Sequence, residues 1–206
     1  MTGNIRCFVA VELPEKIRGR IAEDTAFFKK SGADVKWVPP ENLHLTIKFL
    51  GQVPEDHIPE LTGLLKEAVR GTKPFEAEVA GAGVFPGTGS PRVFWVGVRD
   101  SGMSLAALAR NVEEILWKAG YGRQEKGVFV FVPHLTLGRL REERRGPGKG
   151  GRGGREEARK LAGDIATLKD ALFGKIKLEN ISLMRSELGP GGARYSRLAR
   201  IEFGGL

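Results

Sequence analysis

The sequence predicts an α+β fold built from two comparable halves. Strand-like and helix-like segments alternate along the 206 residues, and one four-residue pattern occurs once in each half, as His44-Leu45-Thr46-Ile47 and His134-Leu135-Thr136-Leu137. A chain of this length can bury one sizeable core. We therefore expect a single domain over residues 1–206, with halves related by internal duplication and no linker between them.

In the first half, short apolar runs predict strands and amphipathic spacing predicts helices. The Pro39-Pro40-Glu41-Asn42 segment predicts a turn before the strand that carries the first motif. The predicted elements are strand, helix, strand, strand and helix, over residues 6–11, 14–30, 35–38, 43–50 and 54–70.

The second half follows two strands, residues 75–85 and 92–98, joined by a turn rich in glycine and proline. Its predicted elements are helix, motif strand, helix and two closing strands, over residues 101–119, 129–140, 156–169, 175–184 and 195–203. Residues 141–155 are rich in glycine and arginine and predict a mobile loop insertion. Two interpretations of this loop stay open, a solvated insertion and an arm that contacts RNA.

The bulk composition is that of a globular protein with an anionic partner. Apolar residues make up 41% and charged residues 28% of the chain, and the net charge is +8. This charge favours nucleic acid over a membrane, and no apolar run approaches the roughly 18 residues of a membrane span. The single cysteine, Cys7, predicts a small buried side chain and no internal disulfide. We expect a cytoplasmic monomer.

The repeated motif places an imidazole and a hydroxyl on one face of a strand. Alternate residues of a strand share a face, so His44 and Thr46 point together, as do His134 and Thr136. The two polar groups of one motif start about 6.5 Å apart, which suits a phosphoryl group. Two of the three histidines carry this pattern, an accident with a probability on the order of one per cent. The competing interpretation is two buried histidines of the core, and His57 is expected at the surface.

Two histidines that face one phosphate from opposite sides can catalyse in-line phosphoryl transfer, one removing a proton and the other donating one. Thr46 and Thr136 would hold the non-bridging oxygens, and Arg139, expected on the same face, would stabilise the developing charge. The sequence contains no Cys-x-x-Cys, His-x-His or Gly-Lys-Ser/Thr pattern. We therefore expect no metal and no cofactor.

With their flanking residues, the motifs resemble the two-histidine phosphoesterase superfamily, and within it the RNA 2′,3′-cyclic phosphodiesterases, also called 2′-5′ RNA ligases. The resemblance implies a bilobal α+β fold in which two antiparallel sheets face a central cleft, with helices on the outer sides. It also implies that His44 is the proton donor and His134 the proton acceptor when a terminal 2′,3′-cyclic phosphate of RNA or of a nucleotide opens to a 2′-phosphate. It spans nearly the whole chain, through residues 6–10, 37–51, 85–97, 133–139 and 185–192.

The loop insertion at 141–155 departs from this family and leaves the RNA contacts open. Two alternatives to hydrolysis also remain. One is reversible 2′-5′ RNA ligation, because the same acid and base serve both directions. The other is a non-catalytic RNA-binding module that uses the basic surface.

Overall fold

The computed structural model describes residues 3–121, 131–141, 152–190 and 192–204. The helices of these ranges are α1 Glu15–Thr25, α2 Ile58–Ala68, α3 Ser104–Lys118 and α4 Arg152–Ala166, and 3₁₀ turns cover Ala26–Lys30, Pro40–Asn42 and Glu55–His57. The strands are β1 Asn4–Glu12, β2 Val35–Trp37, β3 His44–Pro54, β4 Phe75–Phe85, β5 Val93–Arg99, β6 His134–Leu140, β7 Leu172–Leu178, β8 Asn180–Gly189 and β9 Gly192–Glu202. The predicted α+β class is confirmed.

The strands form one antiparallel sheet in the order β7-β4-β5-β6-β3-β1-β8-β9, with β2 paired to the end of β6. The resemblance implied two antiparallel sheets; this detail is not confirmed, since the strands of the described residues are joined in one sheet. Leu45 of β3 pairs with Leu135 of β6 and joins the two groups of four strands at the centre.

The helices cover one face of this sheet. Strand β1 shows the division, because Val9 and Val11 belong to the main core while Phe8 and Ala10 pack in a small cluster on the opposite face. All four helices contribute side chains to the main core. Cys7 also faces this core and is 1% exposed, as predicted, and burial raises the pKa of its thiol to about 11.

Several predicted boundaries are wrong, each for a structural reason. The strand predicted over 175–184 is two strands separated at Glu179, because β7 pairs with β4 in one half of the sheet and β8 pairs with β1 in the other. The helix predicted over 14–30 leaves α-geometry at Thr25 and continues as a 3₁₀ turn. The second motif strand was predicted to begin at residue 129, but β6 begins at His134. Residues 129–130 of the predicted strand lie outside the described residues.

Part of the segment predicted as a Gly/Arg-rich loop is helical. Helix α4 begins at Arg152, so residues 152–155 are helical, and the remainder of the predicted loop, 142–151, lies outside the described residues. Gly153 and Gly154, in the first turn of α4, are weak helix formers. Burial of the apolar face of α4 outweighs this preference, through Ala158, Leu161, Ala162 and Ile165. Within the described ranges, no helix is long and apolar enough to span a membrane.

Candidate active site

The two motifs lie side by side where β3 and β6 meet. Leu45 and Leu135 pair there, and both are fully buried beneath the helices. Because neighbours in a strand point to opposite faces, the histidine and threonine of each motif lie on the helix-free face. The structure thus brings together four of the side chains predicted for the site, all partly buried: His44, Thr46, His134 and Thr136.

The two imidazoles lie diagonally across the central pair. Diagonal neighbours of an antiparallel pair are about 7–8 Å apart. One phosphoryl group, hydrogen-bonded to a ring nitrogen on either side, fits a gap of this size. The arrangement therefore allows the two rings to act on the same phosphorus from opposite sides.

Each imidazole is held by the same backbone contact. Nδ1 of His44 lies 2.8 Å from the carbonyl oxygen of Asn42, and Nδ1 of His134 lies 2.8 Å from that of Val132. A carbonyl oxygen only accepts, so Nδ1 carries the hydrogen in both rings. The Asn42 side chain is itself anchored, since its Nδ2 donates to the Ala193 carbonyl at 2.9 Å. Each Nε2 is left to accept a proton when the ring is neutral or to donate one when it is charged.

Aromatic rings fix the imidazole planes. Tyr195 meets His44 edge-on, with ring centroids 5.2 Å apart and an interplanar angle of 87°, and Phe8 packs against the same ring at 4.8 Å. On the other side, Phe85 meets His134 at 5.1 Å and 86°. Such edge-to-face contacts are the preferred geometry of ring pairs. They restrict ring rotation on both sides of the site.

A carboxylate lies beside His44. Glu12 is directly opposite His44 in the β1–β3 pairing, and its Oε1 accepts from Ser182 Oγ at 2.6 Å and pairs with Arg197 Nε at 3.3 Å. Burial lowers the pKa of His44 below its ordinary value, while the Asn42 carbonyl and the charge of Glu12 act in the opposite direction. His44 is therefore mainly neutral near pH 7, with Glu12 limiting the effect of burial.

A β-bulge decides where Arg139 points. In a regular strand Arg139 would lie on the face opposite His134, because it is five positions further along the strand and neighbouring positions alternate between faces. The β5–β6 register shifts, however, so that Trp95 pairs with Thr136 but Phe94 pairs with Gly138, leaving one extra residue in β6. Arg139 is thereby returned to the His134 face. The charge of Arg139 also affects Tyr195. Burial raises the pKa of the Tyr195 hydroxyl, whereas the charges of Arg139 and Arg6 act to lower it.

Sequence reasoning missed the residues that surround the motifs. Glu12, Phe85 and Tyr195 carry no local pattern, and only the strand order brings them to the histidines.

The third histidine, His57, was predicted at the surface but is partly buried, and its Nδ1 forms a hydrogen bond with the Tyr121 hydroxyl at 2.8 Å. In the part of the chain that the structure describes, no three His, Cys, Asp or Glu side chains cluster as metal ligands.

The fold and the paired motifs define a phosphoesterase of the LigT-like class, and residues 11–95 match the family described as LigT like phosphoesterase. The chain is 35% identical to the RNA 2′,3′-cyclic phosphodiesterase of Methanothermobacter thermautotrophicus over 93% of its own length and 95% of that protein. It is 34% identical to the enzyme of that name from Archaeoglobus fulgidus, over 96% and 100% of the two chains. The chain belongs to the RNA 2′,3′-cyclic phosphodiesterase family.

Solved structures share the fold over nearly the whole length. A protein of Thermus thermophilus superposes with a TM-score of 0.69 and 31% identity, covering 97% of this chain and 98% of that one. E. coli LigT complexed with 3′-AMP gives a TM-score of 0.70 and 25% identity, again over 97% and 98% of the two chains.

Proposed function

We propose that this protein hydrolyses the terminal 2′,3′-cyclic phosphate of RNA to a 2′-phosphate, without a metal or cofactor. The observation that carries the proposal is the pair of imidazoles on one face of the sheet, each with Nδ1 bound to a backbone carbonyl and Nε2 available. The names of the relatives support the reaction class. The 3′-AMP in E. coli LigT shows that a related fold accepts a ribonucleotide phosphate.

In this mechanism the two histidines move one proton each. Nε2 of His134 accepts a proton from water as the water oxygen attacks phosphorus. The bond between phosphorus and O3′ breaks in line with this attack, and protonated Nε2 of His44 donates to the departing O3′. The phosphate remains on O2′, and exchange of protons with solvent restores both rings.

The remaining polar groups bind the phosphate. Thr46 and Thr136 lie beside the histidines and donate hydroxyl hydrogens to its non-bridging oxygens, and Arg139 stabilises the negative charge that builds up on them. An anionic substrate also favours the protonated form of His44, which burial disfavours in the free protein. Substrate binding therefore charges the ring that must donate.

The four-strand groups on either side of the Leu45–Leu135 pair would form the two lobes of one domain, with the substrate in the cleft between them. Residues 1–206 would constitute this domain, with residues near 141–155 as an insertion. We place the enzyme in the cytoplasm as a monomer, in keeping with its single buried cysteine.

The test is turnover of a nucleoside 2′,3′-cyclic phosphate in EDTA, with the 2′-phosphate identified as the product. His44→Ala and His134→Ala should each lower kcat by about 10²–10⁴, the range for loss of a general acid or base. His57→Ala is the matched control, because this third histidine contacts Tyr121 outside the site, and it should retain activity. Activity that disappears in EDTA and returns with a divalent ion would refute the metal-free mechanism, and two fully active motif variants would refute the catalytic pair.

A further inference from the structure

A groove of about 780 Å³ lies at the end of β6 away from His134, and the proposed reaction uses only Arg139 of its lining. Its walls are the end of β6, the turn between β4 and β5, and the first turns of α4. One acidic residue, Asp34, lines it. Five arginines line it as well: Arg92, Arg139, Arg141, Arg155 and Arg159.

The groove is strongly cationic. Asp34 pairs with Arg141 at 3.5 Å, and both side chains are well exposed, at 70% and 62%. Such a pair is weak and leaves both groups open to other ligands. Arg159 donates from Nε to the carbonyl oxygen of Gly89 at 3.0 Å, which holds its guanidinium against the β4–β5 turn. Among the described residues, no hydrogen bond or ion pair occupies the two terminal nitrogens of that guanidinium, which can donate to an anion.

Arg139 links the groove to the candidate active site, because it lines the groove and is also the arginine proposed to act on the reacting phosphate. Its charge also reaches Tyr195, whose ring contacts His44. Arg139 lies five positions beyond His134 along β6, a path of about 16 Å at roughly 3.3 Å per residue. That length corresponds to a few nucleotides of a single strand that extends away from the reacting phosphate.

We infer that this groove binds the backbone phosphates of the RNA strand immediately 5′ to the terminal cyclic phosphate. A guanidinium group can donate two parallel hydrogen bonds to the oxygens of one phosphate. Several arginines along a groove that leads away from the site therefore suit successive phosphates better than one isolated anion. The inference rests on the proposed function and names its substrate class as RNA strands over mononucleotides. A cyclic mononucleotide would reach the histidines without contacting the groove beyond Arg139.

The experiment compares a short RNA carrying a 2′,3′-cyclic phosphate with the corresponding cyclic mononucleotide, in wild-type protein and in the double variant Arg155→Gln/Arg159→Gln. The matched control is Arg70→Gln/Arg110→Gln, which removes the same net charge from two exposed arginines outside the groove. kcat/KM is measured from 50 to 200 mM salt. A charge-preserving variant, Arg155→Lys/Arg159→Lys, shows whether charge alone suffices.

Loss of two phosphate contacts should make the logarithmic salt slope for RNA shallower by about 1.4, at about 0.7 per contact for a single strand. Between 50 and 200 mM salt the wild type should then lose about sevenfold more activity on RNA than the groove variant. Turnover of the mononucleotide should be unchanged, the control should match wild type, and the lysine variant should keep most of the slope.

Equal losses on RNA and mononucleotide would overturn the inference, because the groove would then be shaping the active site itself. A control that loses as much as the groove variant would also overturn it, in favour of the overall charge of the protein. Failure of the proposed function is seen separately, as wild-type protein that does not turn over the cyclic mononucleotide. In that case, fluorescence anisotropy of a labelled RNA with a 2′-phosphate end tests the groove by binding alone.

Discussion

Replacing Gly83 by alanine should slow the reaction by displacing a row of rings that ends at His134. Gly83 lies in β4 directly opposite Trp95 of β5, and the indole covers the space that a side chain would need. Trp95 stacks on Phe85 with centroids 5.0 Å apart, and Phe85 meets the His134 ring edge-on. Displacement of the indole is therefore transmitted to a proposed catalytic group.

The size of the effect follows from the contacts. A Cβ on Gly83 would lie 2.6 Å from Cζ2, 2.9 Å from Cη2 and 3.1 Å from Cε2 of Trp95. Carbon atoms normally pack at about 3.5–4.0 Å, so the indole must retreat by about 1 Å. Overpacking of this kind costs about 1–3 kcal/mol of stability. Because misplacement by 1 Å can reduce a rate about 10²-fold, and the rings absorb part of the shift, we expect kcat to fall about tenfold.

The assay is thermal unfolding together with kcat on a cyclic mononucleotide. Gly63→Ala is the matched control, since no atom lies within 4 Å of a Cβ there and alanine should stabilise α2 by about 0.5–1 kcal/mol. Gly83→Ala combined with Trp95→Phe should recover much of the loss, because the smaller ring removes the clash, as a double-mutant cycle would show. An unchanged melting temperature and unchanged kcat in Gly83→Ala would refute the reasoning.

Three further predictions concern single side chains. Glu12→Gln removes the carboxylate whose charge acts to raise the pKa of His44, so at pH 7 less of this ring is protonated. kcat/KM should therefore fall severalfold, a nearby charge being worth about 1 kcal/mol. Exposed Glu15→Gln is the control, and unchanged or higher kcat/KM in Glu12→Gln would contradict proton donation by His44. Arg139→Ala should lower kcat/KM of a cyclic mononucleotide by about 10², and full activity would remove this arginine from the mechanism. Burial raises the pKa of Cys7 to about 11, so only about one thiol in 10³ should be ionised at pH 8. Cys7 should therefore react with a thiol reagent only after the protein unfolds. Rapid labelling of the native protein would contradict its burial.

The local patterns of the sequence predicted the strands that carry the motifs, because alternation along a strand and helical spacing are short-range signals. His44 and Thr46 share a face as predicted, and so do their counterparts in β6. The two sheets that the resemblance implied are not confirmed, since a single pair, Leu45 with Leu135, joins the halves. The motif residues alone do not show whether Leu45 and Leu135 lie in different sheets that face one core or are paired with each other in neighbouring strands of one sheet.

The bulges could not be predicted from alternation either. The β1–β3 register shifts twice, so that Ala10 pairs with Thr46 while Phe8 pairs with Phe49. Phe49 therefore shares the helix-free face with Thr46 and is 58% exposed. Positions after a bulge change face relative to a regular strand, and the pairing partner that reveals the bulge lies far away in the chain.

In the proposed reaction the two His-Leu-Thr motifs perform opposite proton transfers, so the difference between the two histidines has to come from their neighbours. Across the β1–β3 pairing, His44 faces Glu12, whereas across the β5–β6 pairing His134 faces Gly97. A side chain at Gly97 would meet the Ala80 carbonyl oxygen at 2.7 Å, so the backbone excludes a carboxylate at that position. Of the two histidines, and among the residues that the structure describes, His44 alone has a cross-strand negative charge to stabilise an imidazolium. Once an anionic substrate offsets the cost of burying that charge, the proton should reside on His44, and we therefore expect His44 to donate and His134 to accept in the proposed reaction.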